Sequence, residues 1–439
     1  MINFVSNIHK ATQWINNNST DHYVHISSVQ RKPYYEVSGY YIPTLLNYGF
    51  REKAMGFAEH LAAVQLNNGA WKPSIVFDVA QIIDGLSEFS NKYSINIERA
   101  ANWILTKCED GKFIDPYNGE ISDHIYMRLI YCLYKSGIDV KIHTDEMLNV
   151  YYNENLFKFT SLSHFYAYGF EGSARLGLDC KKFLEEISRY QYIPEKSGAD
   201  TYCFTGLSQV ALSLFLIGEY DLGMKYLQFV TGFQKDTGGF LGSNGGYFPK
   251  EEISWAVKFY MDAFLEGQKL WFKKNITIFP NKLEYGDKDE RFIFIKNNVR
   301  ETDSVLDVGC GKGRYINNLN CNRFACDIAD ASKYVNAKFQ IGSCLRLPHD
   351  NNVFDVVFAS EVLEHSIFVD NAIKECLRVL KPGGKLLIID KDDRINFNNL
   401  HFGEKWLNFR KLQREYEAEI ADIKQFSVPF CTAKINKER

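Results

Sequence analysis

Val305-Leu306-Asp307-Val308-Gly309-Cys310-Gly311-Lys312-Gly313 decides how the second half of this chain is read. Apolar residues run into an acid and then into three glycines at alternate positions. This pattern predicts a buried parallel strand ending in a loop, at the edge where open α/β sheets bind ligands. Glycine suits such a loop because it has no Cβ and lets a flat, polar cofactor approach the backbone. A dinucleotide site spaces its glycines Gly-x-Gly-x-x-Gly, the third aiding helix packing beneath a pyrophosphate. Here the spacing is Gly-x-Gly-x-Gly and Arg314 follows at once, which fits a cofactor that brings no phosphate.

Outward from the loop, apolar runs alternate with helical patterns, the signature of a doubly wound parallel sheet. An amphipathic helix over 291–299 precedes the first strand, over 304–308. A second strand over 323–326 ends in Asp327, 20 residues after Asp307. A carboxylate there can accept hydrogen bonds from both hydroxyls of a ribose. Next comes Phe339-Gln340-Ile341-Gly342-Ser343-Cys344-Leu345-Arg346-Leu347-Pro348. A fourth strand over 354–359 leads into Ser360-Glu361-Val362-Leu363-Glu364-His365, and a fifth over 385–390 comes after Lys381-Pro382-Gly383-Gly384. The stretch 401–417 reads as a helix, and 418–426 with 430–435 as a closing antiparallel hairpin.

Taken together, VLDVGCGKG, CDIAD, GSCLRLP, FDVVFASEVLEH and LRVLKPGGKLLIID resemble the class I S-adenosylmethionine (SAM)-dependent methyltransferases. The resemblance is to the subgroup that includes ubiquinone and menaquinone methyltransferases, and it covers about residues 290–391. It implies a Rossmann-like fold with SAM as cofactor, held by Asp307, Gly309, Gly311, Gly313, Asp327, Ser343, Cys344 and Ser360. In that family the position of Ser343 is commonly Asp, accepting from the adenine amino group; Ser343 can accept but carries no charge. The backbone N–H of Cys344 can serve the adenine ring whatever its side chain. Methyl transfer from a sulfonium is an in-line displacement, so the enzyme's main task is to position the acceptor and exclude water. An oxygen acceptor also needs a base, for which His365 is the first candidate and loop orientation the competing role. Glu361, Glu364 and His401 are weaker choices, and no metal-ligand cluster is expected.

The first 270 residues or so read differently, as helices in a recurring unit of about 45 residues. Apolar, aromatic-rich helices begin near Glu36, Phe77, Asp123, Phe165, Thr205 and Ile253. Amphipathic helices come next from Arg51, Ile97 and Tyr220, with charges at helical spacing that suit an outer layer. Six such hairpins predict an all-α (α/α) toroid, apolar helices inside. VQLNNGAW and FQKDTGGFLGSNGGYFP resemble turn signatures of terpenoid-cyclase and prenyltransferase-like toroids, and FDVAQIIDGL and EISWAVKFYMDAF are similar to carbohydrate-acting toroid proteins. The Asp-rich acid motif and the DDxxD motif are both absent, which argues against terpene cyclisation. Glu36, Asp78, Asp123, Glu171 and Glu252 fall near the starts of successive units or on their inner helices and are expected to project into one cavity. Glu36, Asp78 and Trp255 are the candidate substrate-binding residues. The competing roles are capping or pairing with neighbours such as Lys258 for the acids, and packing for Trp255 and Trp71.

The expected organisation is therefore a toroid over 1–275, a linker over 276–290 around Pro280 and Gly286, and a methyltransferase domain over 291–439. At 439 residues two domains are expected. A net charge of −3 argues against a nucleic-acid partner. The longest apolar run, 210–217, is too short to span a membrane. Residues 1–19 lack a basic segment followed by an apolar block, and the ten cysteines form no Cys-x-x-Cys pair. Reduced thiols and a cytoplasmic location are the resulting expectations, and oligomeric state is left open. The functional expectation is a methyltransferase acting on a sugar or carbohydrate-derived small molecule bound with help of the toroid, as in polysaccharide biosynthesis. The alternative is a lipid, quinone or other small-molecule acceptor, with the toroid as a protein-interaction scaffold.

Overall fold

The computed structural model describes residues 4–114, 123–137, 141–394 and 405–438, without the side chains of 141–143. His401 lies outside the described residues. The chain divides into two compact units, one of Met1–Leu45 and Arg51–Gly267, the other of Leu46–Phe50 and Gln268–Arg439.

The first unit is helical. Its elements are α1 (Phe4–Asn17), α2 (Tyr35–Asn47), α3 (Arg51–Ala63), α4 (Val76–Leu86), α5 (Ser90–Leu105), α6 (Ile125–Lys135), α7 (Lys141–Tyr151), α8 (Ser163–Arg175), α9 (Lys181–Ile187), α10 (Phe204–Leu216), α11 (Tyr220–Thr231) and α12 (Ser254–Asn275), which runs into the second unit. A two-residue hairpin of β1 (Cys108–Glu109) and β2 (Lys112–Phe113) comes after α5. The apolar helices expected from the sequence are α2, α4, α6, α8, α10 and α12. All eleven residues of α4 and nearly all of α10 are buried, because these helices are apolar on every face. Glycine lets their backbones approach closely: a Cβ on Gly39 of α2 would strike the α4 backbone at Ile82, and one on Gly172 of α8 the α6 backbone at Met127. The last of the six meets the first, with the Tyr41 hydroxyl donating to the Ser254 carbonyl (2.6 Å) and Thr44 to Asp262 (2.7 Å).

The second unit is a seven-stranded sheet with helices. Its strands are β3 (Ser304–Val308), β4 (Asn322–Asp327), β5 (Lys338–Ile341), β6 (Phe354–Ser360), β7 (Leu380–Lys391), β8 (Glu419–Ile423) and β9 (Phe430–Asn436). They lie in the order β5-β4-β3-β6-β7-β9-β8, parallel from β5 through β7, with β9 antiparallel to both its neighbours. Helices α13 (Glu290–Asn298), α14 (Val369–Val379) and α15 (Phe409–Tyr416) complete it. Leu306 and Val308 join one apolar layer and Val305 the other, as alternation along a doubly covered strand requires. The order reverses at β3, so the crevice between β3 and its neighbours is the topological switch point. The stretch expected to be a linker carries structure of its own: Asp289 is fully buried and caps α13 by accepting from the Arg291 N–H. Among the described residues no helix is long and apolar enough to cross a membrane.

Candidate functional site

Asp307 is the penultimate residue of β3 and Asp327 the last of β4, and register pairs Val308 with Cys326, so the two acids lie together at the carboxyl edge of the sheet. Both are more than nine-tenths buried. Asp327 accepts from the Gly311 N–H (2.8 Å) and the Ala329 N–H (2.9 Å), which ties the glycine loop to the next strand. Burial raises its carboxyl above the ordinary range against those hydrogen bonds. Asp307 is raised further, by burial first and then by the neighbouring Asp327 charge. Its Oδ2 meets no hydrogen-bond partner in the protein. A crevice with an orphaned carboxylate oxygen beside a second acid suits a cationic ligand with hydrogen-bond donors.

The three glycines take left-handed φ values of +67°, +50° and +75°, but differ in what surrounds them. A Cβ on Gly309 would collide with Val362, and one on Gly313 with Asn317, so these two let segments pack. A Cβ on Gly311 would meet only Phe279, at 3.8 Å, so this is the open position of the loop.

Ser360 closes β6, across from β3, and its buried hydroxyl has no partner either. Ser343 comes after β5, where its hydroxyl already accepts from the Leu345 N–H (3.2 Å) in a tight turn with Arg346. Burial pushes the Cys344 thiol up to about 11, so it stays protonated at neutral pH. His365 sits in the turn after β6. Its ring lies edge-on to Phe272 at 5.2 Å, its carbonyl accepts from Gln268 (3.2 Å), and its Nε2 is 3.7 Å from Glu364. Glu364 is held by the Lys391 ammonium at 2.6 Å, and its N–H donates to the buried Asp390.

Sequence reasoning missed an ion network beside the crevice. Arg291 is buried and donates to Asp289, Glu284 (2.9 Å) and Glu361 (3.0 Å), while Arg314 reaches Glu361 and Glu284 (both 3.3 Å). Glu361 has a φ of +56°, a strained value for a side-chain-bearing residue, and the two arginines hold it there. The position of Arg314 directly after Gly313 was the available signal; its partners are distant in sequence.

The five acids of the first unit do not converge as a set. Asp123 is exposed at the start of α6. Glu252 accepts from the Trp14 indole N–H (2.5 Å) and the Thr237 hydroxyl (2.8 Å), away from the others. Glu171 is buried in a charge cluster: it accepts from Arg175 (2.7 Å) and Gln209 (2.9 Å), with Arg128 at 3.7 Å. The arginines outweigh its burial and hold it down to about 2. Glu36 and Asp78 both lie within electrostatic reach of the Tyr34 hydroxyl, to which Glu36 also hydrogen-bonds. Burial pushes the Glu36 carboxyl up to about 7 in spite of Tyr34 and Lys258. Trp255 donates its indole N–H to the Tyr247 hydroxyl (3.0 Å) and stands edge-on to Tyr34. Trp71 donates to the Leu61 carbonyl (2.7 Å) inside the core and packs.

Residues 306–388 match the family described as "Methyltransferase domain". The chain is similar to sterol 24-C-methyltransferase of Kluyveromyces lactis, 26% identical over 33% of this chain and 42% of that protein. It is likewise similar to sterol 4-C-methyltransferase strm-1 of Caenorhabditis elegans, 26% identical over 34% of this chain and 54% of that protein. The chain thus spans about half the length of the curated relatives it matches. Among solved structures, it is similar to an alpha-amylase from Clostridium perfringens at 16% identity and a TM-score of 0.48, covering 59% of this chain and 97% of that one. Family match, strand order and crevice agree: the C-terminal half of the chain is a class I SAM-dependent methyltransferase domain, with SAM as its cofactor.

Proposed function

We propose that the protein transfers the SAM methyl group to a sugar or carbohydrate-derived small molecule, and that its N-terminal unit is a closed α/α toroid that helps bind this acceptor. The observation that supports the sugar is the polar end of that unit, where Glu36, Asp78 and Trp255 gather around Tyr34. A sugar brings hydroxyl groups to such buried acids, whereas a flat apolar sterol brings almost none. In the methyltransferase domain, Asp327 would hold the ribose hydroxyls of SAM and Asp307 its cationic amino-acid end. Gly311 gives the loop its open position, with Gly309 and Gly313 letting it fold; Ser343, the Cys344 N–H and Ser360 complete the cradle. The sulfonium supplies an activated methyl carbon when SAM is bound. His365, beside Glu364, holds or removes the acceptor's proton.

A sterol or other lipid acceptor is the second reading, supported by the names of the curated relatives. A screen of sugar nucleotides, oligosaccharides and sterols for SAM-dependent gain of one methyl mass tests both. Methylation of a sugar sustains the first proposal; methylation confined to sterols replaces it with the second.

A further inference from the structure

The second unit includes a short piece from far earlier in the sequence, Leu46–Phe50, which is the end of α2 and the loop leading to α3. Its aromatic residues pack on one ring: Tyr48, fully buried, stands edge-on to Phe368 at 6.0 Å, and Phe50 does so at 5.0 Å. The Tyr48 carbonyl accepts from the amide of Asn371 (3.1 Å), in the first turn of α14. Gly49 has a φ of +76°, and a Cβ there would come within 2.8 Å of the Asn371 Cβ and 3.4 Å of Leu345. A left-handed residue seated this closely on a helix is one that only glycine supplies without strain.

The polar residue of this piece reaches the turn after β5. The side-chain oxygen of Asn47 accepts from the Arg346 guanidinium (3.0 Å). Arg346 is paired with Ser343 through the backbone, its N–H donating to the Ser343 carbonyl (2.9 Å) and its carbonyl accepting from the Ser343 N–H (3.3 Å). Whatever fixes Arg346 therefore fixes Ser343 and Cys344 as well. The far end of the turn is held separately, by the Leu347 N–H donating to Glu375 of α14 (2.8 Å). Such support matters at this place in the sheet. β5 has four residues and lies at the edge, with β4 on one side and no strand on the other among the described residues.

We propose that Asn47 and Gly49 are positioning residues of the SAM site, which clip the turn over 343–347 against α14 and hold ready the groups that take the adenine. Neither residue touches the cofactor. A turn already ordered in the free protein loses less freedom when its ligand arrives, so the clip strengthens binding through Arg346 alone. The cofactor site is then discontinuous in sequence, with one support 299 residues before the arginine it holds. The proposal rests on the adenine role given above to Ser343 and the Cys344 N–H.

One experiment separates the two. SAM affinity is measured by calorimetry, and backbone amide exchange by mass spectrometry, on the full-length protein in its native form and as Asn47→Ala and Gly49→Ala. In the native protein SAM should slow exchange across both 309–313 and 343–347. Asn47→Ala should weaken SAM about three- to tenfold, the worth of one hydrogen bond, and Gly49→Ala at least as much. Without SAM, exchange across 343–347 should quicken in both variants while 309–313 keeps its native rate, a contrast that a general loss of stability does not produce. Should Gly49→Ala fail to fold, Asn47→Ala decides, because its side chain is only half-buried. Unchanged SAM affinity in Asn47→Ala overturns the clip, as does weaker binding with native exchange across 343–347; the adenine role then stands. SAM that protects 309–313 but not 343–347 in the native protein overturns the adenine role and the clip together.

Discussion

Buried carboxylates in the two units meet opposite fates. In the helical unit, Asp84 is held far below the ordinary range by Lys135 (2.6 Å) and Arg128 (2.6 Å), and Glu171 by Arg128 and Arg175, although burial opposes both. At the sheet edge of the other unit, Asp307 and Asp327 are equally buried but face each other and no cation, and both are raised. A buried charge must be neutralised, and a protein that omits the counter-charge leaves that task to a ligand or a proton. The acids that pack are those given an arginine, and those denied one are left for a ligand or a proton to neutralise. Glu36 sides with Asp307 by this criterion, despite sharing its unit with Asp84.

The largest effect that sharpens this contrast is expected at Arg128. Arg128→Ala strands Asp84 and Glu171 without their shared cation, and chemical denaturation should show a loss of about 3–5 kcal/mol. Replacement by Met, which fills the volume but not the charge, should fail to restore it.

Glu36 breaks the symmetry through pH. Its folded carboxyl is raised to about 7 from an ordinary 4.5, so the folded state keeps a proton that the unfolded state loses first. This contribution to stability is fully present below the ordinary carboxylate range and is lost as pH rises toward 7. The slope is at most about 1.4 kcal/mol per pH unit over that window. Thermal denaturation at pH 4.5 to 7 should show it in the native protein and lack it in Glu36→Gln.

Cation binding should pull the Asp307 proton off. SAM carries a sulfonium and an amino group, so binding should release a fraction of a proton. Calorimetry in two buffers of different ionisation enthalpy reads it; identical heats would mean that Asp307 does not titrate. Ser343→Ala should change SAM affinity least, by less than about threefold, since a neutral hydrogen bond contributes about 1 kcal/mol or less.

Much of the sheet half was legible in sequence because its signals are local. Apolar runs bounded by Asp307, Asp327 and Ser360 placed three strand ends, and the glycine spacing placed the loop at the carboxyl end of β3. The starts of the six apolar helices were legible for the same reason, through recurring aromatic-rich runs. Partners far apart in sequence were not. Nothing near Arg291 announces Glu361, 70 residues on, and nothing near Asp84 announces Arg128. Five acids spaced one per repeat looked equivalent, yet Asp123 is exposed, Glu252 is tied to Trp14 and Glu171 is ion-paired. Only contacts across the fold separate them from Glu36 and Asp78.

The most direct measurement is SAM affinity, by calorimetry on the full-length protein, for the native chain and for Asp307→Asn. Removing the charge while keeping the shape should weaken binding about 10- to 100-fold, the worth of one charge-assisted hydrogen bond. Equal affinity in the two proteins would contradict the placement of the cofactor's cationic end against Asp307, and with it the distinction drawn between acids that pack and acids that bind.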